Sequence, residues 1–223
     1  MRTVFHGSEF VIEKPKYCGG RPYNDYGYGF YCTESESMAK EWAVTMEHDG
    51  YANRYELDDE ALSILYLNRD YSILTWLAML LKHRTFSYDS PLAKEGARYL
   101  FEHFSVDAEK YDLIIGYRAD DSYFSFAQDF ISGAISVEQL SRAMYLGELG
   151  MQIVLKSREA FERLHFSGAK KALRRDWLDQ KMLRDLKARS AYLNSDRMRY
   201  QRGELYITTI LEEEIRDGDP RLQ

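Results

Sequence analysis

Apolar residues in this chain come in short runs whose spacing switches between the strand period of two and the helix period of 3.6. Thr3-Val4-Phe5-His6 predicts a first strand, ended by Gly7 and Ser8. Phe10 to Ile12 is a second apolar patch, and a polar, glycine-containing loop runs on through Tyr23. Phe30-Tyr31 follows as a short aromatic strand. Thr33-Glu34-Ser35-Glu36 has the form of a capping box, so a helix is predicted from about Glu34 to about His48, striped with Met38, Ala39, Trp42, Ala43 and Met46. Tyr51 to Leu57 alternates as a strand, and Leu62 to Leu67 is a further short apolar run of strand type. Ser72 to Leu81 predicts a core helix and Leu92 to Phe104 an amphipathic one. The Leu-Ile-Ile run within Tyr111 to Arg118 predicts a buried strand, and Phe124 to Ile131 a short helix. Ser136 to Gln139 is a second capping box, opening a helix to about Leu149. Met151 to Lys156 is a last strong strand, with Gln152, Val154 and Lys156 on one face and Met151, Ile153 and Leu155 on the other. Ser157 caps a helix through Leu164, and Tyr206 to Leu211 reads as an edge strand before an acidic end.

Strands and helices interleave without an internal repeat or low-complexity linker. From Ala169 to Arg202 the composition changes. This window holds 11 Lys or Arg against 4 Asp, a local charge of +7 in a chain of net −6, so the remainder is −13. Its apolar positions, Leu173, Trp177, Leu183 and Leu186, predict a packed helix with a basic face. The chain is accordingly divided into residues 1–166 and a basic helical extension, 167–223, packed on the same domain.

The acidic total gives no general electrostatic case for nucleic acid, although the basic window is compatible with an acidic partner or a phosphate backbone. Tyrosine is abundant, with 18 residues against 11 Phe and 3 Trp, a weak pointer to recognition surfaces. Cys18 and Cys32 form no disulfide framework and no metal motif, and suit a reducing compartment. The start of the chain lacks a secretory pattern, and Ile73 to Leu81 is far too short to span a membrane. A cytoplasmic protein is the expectation.

Candidate chemistry centres on Asn24 to Thr33, a loop with Gly27 and Gly29 that runs into the aromatic strand and then the capped helix. Such a joint either grips a flat ligand or makes a packed corner. His6, beside Gly7 at a strand end, is either structural or a site residue. Asp120 and Asp121 follow a buried strand, where acids serve as cap and turn or as chemistry. Gln152, polar within a hydrophobic strand, is either on an exposed edge or used, because burial without a partner is costly. Phosphate-loop, Rossmann and His-Glu-x-x-His patterns do not occur. Nothing in the sequence arranges a Cys–His nucleophile pair.

Several of these pieces together resemble one family. Phe5-His6-Gly7-Ser8, Asn24 through Thr33, Ala39-Lys40-Glu41-Trp42-Ala43, Gly116 through Phe126 and Gln152 through Ser157 closely resemble a bacterial family of unassigned function. That family is grouped in the ADP-ribosyltransferase clan and often occurs beside small companion genes. The resemblance covers about Arg2 to Phe166 and implies an α+β fold, an ADP-ribosyltransferase-like split β-sandwich with helical insertions. It implies a mono-ADP-ribosyltransferase that uses NAD as co-substrate and modifies a macromolecular acceptor, protein or nucleic acid. It further implies an intracellular toxin held by a small antitoxin or companion protein.

By the diphtheria-toxin and poly-ADP-ribose-polymerase pattern, His6 would bind the ribose next to nicotinamide, and Gly7 its carboxamide. Tyr31 and Trp42, eleven residues apart, would enclose the cationic ring, an attraction of roughly 0.5–2 kcal/mol per aromatic face. Ser8 and Thr33 complete the expected NAD contacts. Where the wider clan often has a Glu, the matching strand offers Gln152, which can hold a ribose hydroxyl but adds no charge. Asp120 or Asp121, with Glu148 next, are the carboxylates expected to assist; Asn24 and Asp25 are expected at the rim. A non-catalytic binder of NAD or ADP-ribose, or a protein-interaction module, is the alternative.

Overall fold

The computed structural model describes residues 1–119, 121–146, 150–194 and 200–222. The Leu-Ile-Ile run lies in β5 (Leu113–Tyr117) and is apolar throughout because both faces of the strand are covered. Leu113 and Ile115 enter a core between two sheets, whereas Ile114 enters a second core under helices.

β5 belongs to a four-stranded sheet in the order β2 (Phe30–Cys32), β6 (Met151–Leu155), β5, β4 (Ile64–Tyr66). β6 is antiparallel to both of its neighbours, and β4 runs parallel to β5. A parallel pair needs a long crossover. Here it is built from α2 (Leu67–Asp70), α3 (Ile73–His83) and α4 (Pro91–Phe104). These pack with α5 (Asp121–Ile131) and α6 (Val137–Ala143) on one face of the sheet, around Trp76, Leu100, Phe104, Phe126 and Phe130. The other face meets an antiparallel sheet in the order β1 (Arg2–Ser8), β3 (Gly50–Leu57), β7 (Leu164–Ala172). Between the sheets, Val4, Tyr55 and Leu57 pack against Cys32, Leu113, Ile153 and Leu155.

One isolated bridge joins the sheets at their edges. Phe5 N–H donates to Thr33 O at 2.7 Å, and Thr33 N–H to Phe5 O at 2.9 Å. Alternate residues of an antiparallel strand present N–H and C=O to the same edge. Gly7, two residues after Phe5, therefore turns its backbone groups away from β3, into the gap where β1 and β2 part.

Several sequence expectations are corrected. β1 does not stop at His6 but continues through Gly7 and Ser8, paired with Ala52 and Tyr51. In the second apolar patch, Phe10 and Val11 are exposed. The cap of α1 (Glu36–Ala43) is Ser35, whose Oγ accepts from Met38 N–H at 3.2 Å. Thr33 cannot serve because its backbone is committed to the bridge. The chain turns extended at Val44, so α1 ends early and Met46 is exposed. α6 likewise closes at Ala143, and Glu148 and Leu149 lie outside the described residues.

The basic window is not helical throughout, since its first residues complete β7. A division at residue 166 therefore falls inside a paired strand. α7 (Arg158–Glu162), capped by Ser157, precedes that strand. α8 (Arg174–Leu193) then docks on α1 through Trp177 and Leu178, which pack against Ala43, Val44 and Ala172. Arg184 Nε and Nη2 grip the buried Glu41 carboxylate at 3.0 and 2.9 Å, and Lys170 reaches Glu36 at 2.7 Å. Several of the window's cations thus neutralise acids elsewhere in the same chain. The expected edge strand near the end is instead α9 (Ile207–Glu212), whose Ile207 and Ile210 are buried at helical spacing. Ile207 sits so close to Gly96 of α4 that a Cβ there would meet it at 2.6 Å.

Candidate functional site

The gap between β1 and β2 opens into a cleft of about 1020 Å³. Five of the predicted residues line it: His6 and Gly7 from β1, Tyr31 from β2, Trp42 from α1 and Gln152 from β6. They come from four elements spread over nearly 150 positions of sequence, and the packing of the two sheets brings them together. Ser8 and Thr33 do not line the cleft. Ser8 Oγ donates to Phe10 O at 2.6 Å and accepts from Asn53 at 2.9 Å, and the buried Thr33 holds the bridge. Asp120 lies outside the described residues; Asp121 begins α5, with its side chain likewise outside them.

His6 is fixed in one tautomer. Its Nδ1 is 2.7 Å from the Tyr31 carbonyl, which can only accept, so Nδ1 carries the proton and Nε2 is left as an acceptor. Burial lowers the pKa of the ring, favouring this neutral form, and the ring stacks on Phe30 at 4.2 Å. The Tyr31 hydroxyl is fully engaged: it donates to Gly27 O at 2.7 Å and accepts from Tyr26 N–H at 3.1 Å. Burial also raises its pKa, so what Tyr31 offers a ligand is its ring. Gly7 packs against α1 so closely that a Cβ would meet Ala39 O at 2.0 Å, which places Trp42 beside β1. Arg118 lies over the Trp42 ring at 4.7 Å.

Gln152 is neither exposed nor on an edge, since β6 is interior to its sheet and the side chain is buried. It is used, and its partner is a residue expected at the rim. Asp25 is only 5% exposed. Its Oδ2 accepts from Gln152 Nε2 at 2.8 Å and from Ala119 N–H at 2.9 Å, and its Oδ1 from Arg84 Nη1 at 3.1 Å. Gln152 Nε2 also donates to Tyr117 O at 3.4 Å. Both of these neighbours are acceptors, so the amide orientation is determined, and Oε1 remains to accept from a ligand. Burial raises the Asp25 pKa, opposed by the bonds from Ala119 and Gln152 and by the charges of Arg84 and Arg118.

The loop before β2 is laid along the Gln152 face of β6. Gln152 holds Asp25, Val154 lies under Gly29, and Lys156 Nζ donates to Tyr26 O at 2.9 Å and also to Tyr28 O. Gly27 takes φ +70°, and a Cβ there would meet the His83 ring at 2.7 Å. Its close approach is thus to the protein's own α3. The Tyr26 hydroxyl donates to Tyr117 O, which also accepts from Trp76 Nε1 at 3.1 Å.

Sequence reasoning placed Asp25 only at the rim and missed Arg84 and Arg118, together with Lys14, Lys16 and Arg21 of the long loop. Among the described lining residues, Asp25 is the one acid against five Lys or Arg. That balance favours an anionic ligand.

The fold and site define a mixed α+β protein with two sheets and a cationic cleft where they part. Within that class, the chain belongs to the family described as protein of unknown function (DUF3990), whose model matches residues 2–166. Every residue lining the cleft falls in the matched span. No curated protein and no solved structure matches the chain. Among the described residues, no helix is long and apolar enough to cross a membrane.

Proposed function

We propose that the protein is an NAD-dependent mono-ADP-ribosyltransferase, with the two sheets forming an ADP-ribosyltransferase-like split β-sandwich. The observation that carries this reading is the convergence of His6, Tyr31 and Gln152, from three separate strands, on one cleft. The available groups suit NAD. The Tyr31 and Trp42 rings offer flat surfaces to nicotinamide, and the Gly7 backbone faces the same gap. His6 Nε2 and Gln152 Oε1 are acceptors for ribose hydroxyls, and the surrounding cations suit a diphosphate. In the reaction, the bond between nicotinamide and ribose breaks, nicotinamide departs, and a nucleophile of a macromolecular acceptor takes the ADP-ribose. Positive charge develops on the ribose as the bond breaks, and an acceptor dipole held against it lowers the barrier. Toxin activity under the control of a companion protein extends this reading and rests on the family resemblance.

A second reading, a binder that holds NAD or ADP-ribose without turnover, is favoured by one observation. Gln152 is neutral and both of its amide protons are engaged, so it has no proton to give a reacting group. Incubation with labelled NAD separates the two. Nicotinamide release or transfer of label, lost in both Tyr31→Ala and Gln152→Ala, is expected of the enzyme. Binding of NAD with neither release nor transfer would leave the binder. Protease or nuclease removal of the label would then identify the acceptor class.

A further inference from the structure

The cleft contains a carboxylate in an unexpected place. Asp25 lines the cleft beside Gln152 and is hydrogen-bonded to its amide nitrogen, on the side of the amide away from Oε1. Among the described residues, its carboxylate oxygens accept from Gln152 Nε2, the Ala119 amide and the Arg84 guanidinium. Burying a carboxylate this deeply is costly unless it is paired and hydrogen-bonded. A loop that needed only to be anchored could have used a neutral side chain. Gln152 Oε1 is the atom of that amide left to meet a ligand. A donated N–H···O⁻ bond draws the amide toward its dipolar resonance form, adding negative charge to Oε1 and fixing its direction.

We infer that Asp25 is a positioning residue for Gln152, supplying through the amide nitrogen the negative charge that a glutamine lacks. The pair then presents a neutral amide oxygen coupled to a fixed anion to the developing charge on the ribose. This rests on the transferase reading of the cleft, which is a separate claim. The division of labour also explains the surrounding cations. Arg84 holds one carboxylate oxygen and leaves the other to Gln152, so the negative charge is directed toward β6.

Two measurements test it. The first uses the side-chain amide of Gln152 in a nitrogen–proton correlation spectrum of the full chain, assigned by its disappearance in Gln152→Ala. The charged and titratable groups facing Asp25 are Arg84 at the end of α3, Arg118 beyond β5, Tyr31 on β2 and the adjacent Tyr26. Neither the arginines nor the tyrosines change charge in acid; His6, on the other wall of the cleft, does, so the transition of the signal that belongs to Asp25 is the one retained in His6→Gln. In Asp25→Asn that transition should vanish. A signal that does not titrate in the wild-type protein, or titrates equally in Asp25→Asn, overturns the inference whether or not the protein is an enzyme.

The second measurement is nicotinamide release. Asp25→Asn should lower kcat by about 100-fold, with the KM for NAD little changed, because the lost interaction matters most in the transition state. The acid limb of the rate profile should go with it. Activity of Asp25→Asn within about threefold of wild type, with Tyr31→Ala inactive, would overturn the inference and leave the transferase reading intact. If wild-type protein binds NAD yet releases no nicotinamide, the transferase reading fails, and the amide titration alone decides the role of Asp25.

Discussion

The two faces of β6 do opposite things with the same five residues of backbone. Met151, Ile153 and Leu155 point into the core between the sheets, where they meet other apolar side chains. Gln152, Val154 and the following Lys156 point the other way, and each touches the loop that precedes β2. The first face is non-directional, and its stabilisation follows buried area. The second is directional, with particular donors meeting particular carbonyls. A strand can therefore join the sheets on one side and shape a cleft on the other, because its alternation separates the tasks.

Substitutions on the two faces should differ in kind as well as in size. Leu155→Ala empties a fully buried position and should cost about 2–5 kcal/mol, read as a lower midpoint in denaturant unfolding. Tyr26→Phe removes the buried hydroxyl donated to Tyr117 O and should cost about 1–3 kcal/mol in the same assay. It should also loosen the loop. Lys156→Met should change global stability by only about 1 kcal/mol, yet free the loop from β6. Faster amide hydrogen exchange in the residues after Asn24, with the midpoint hardly altered, is the expected result. Equal effects on exchange and midpoint would show that the loop and the core form one unit.

The smallest expected effect is on pH dependence, and here the two walls of the cleft have opposite signs. Burial lowers the His6 pKa, so the unfolded chain binds more protons at that residue. Its contribution is full above about 6.5, the unfolded value, and stability is lost as pH falls below it. Burial raises the Asp25 pKa, so the folded protein binds more protons there. Stability from that residue falls as pH rises from about 3.9 through the raised value. Thermal melts from pH 4 to 7 should show the His6 slope flattened in His6→Gln and the Asp25 slope removed in Asp25→Asn.

Much of the architecture was legible because core strands and capped helices write themselves locally. The Leu-Ile-Ile run of β5, the Ser136 capping box and the two-faced reading of β6 all correspond to observed elements. β7 was hidden because its lysines and Gly168 mask the alternation, as expected of an edge strand protected by charge. Thr33 and Ser35 are equally good caps in sequence, and the contact with Phe5, distant in the chain, decides between them. His6, Gly7, Tyr31, Trp42 and Gln152, which line the cleft, were named from their motifs. Asp25 was expected at the rim and not as the buried partner of Gln152, since Asn24-Asp25-Tyr26-Gly27 has the composition of a turn. Its burial depends on Ala119, Arg84 and Gln152, none of them near it in sequence.

The single bridge between Phe5 and Thr33 has a mechanical consequence. His6 and Gly7 belong to the three-stranded sheet, whereas Tyr31, Gln152 and the tethered loop are held by the four-stranded one. The cleft is thus a gauge of how the sheets are aligned. A shift of one sheet over the other, small enough to leave the aliphatic layer between them intact, would separate the imidazole from the tyrosine carbonyl and misalign the two walls. Ligand affinity would register that displacement before any loss of folded structure did.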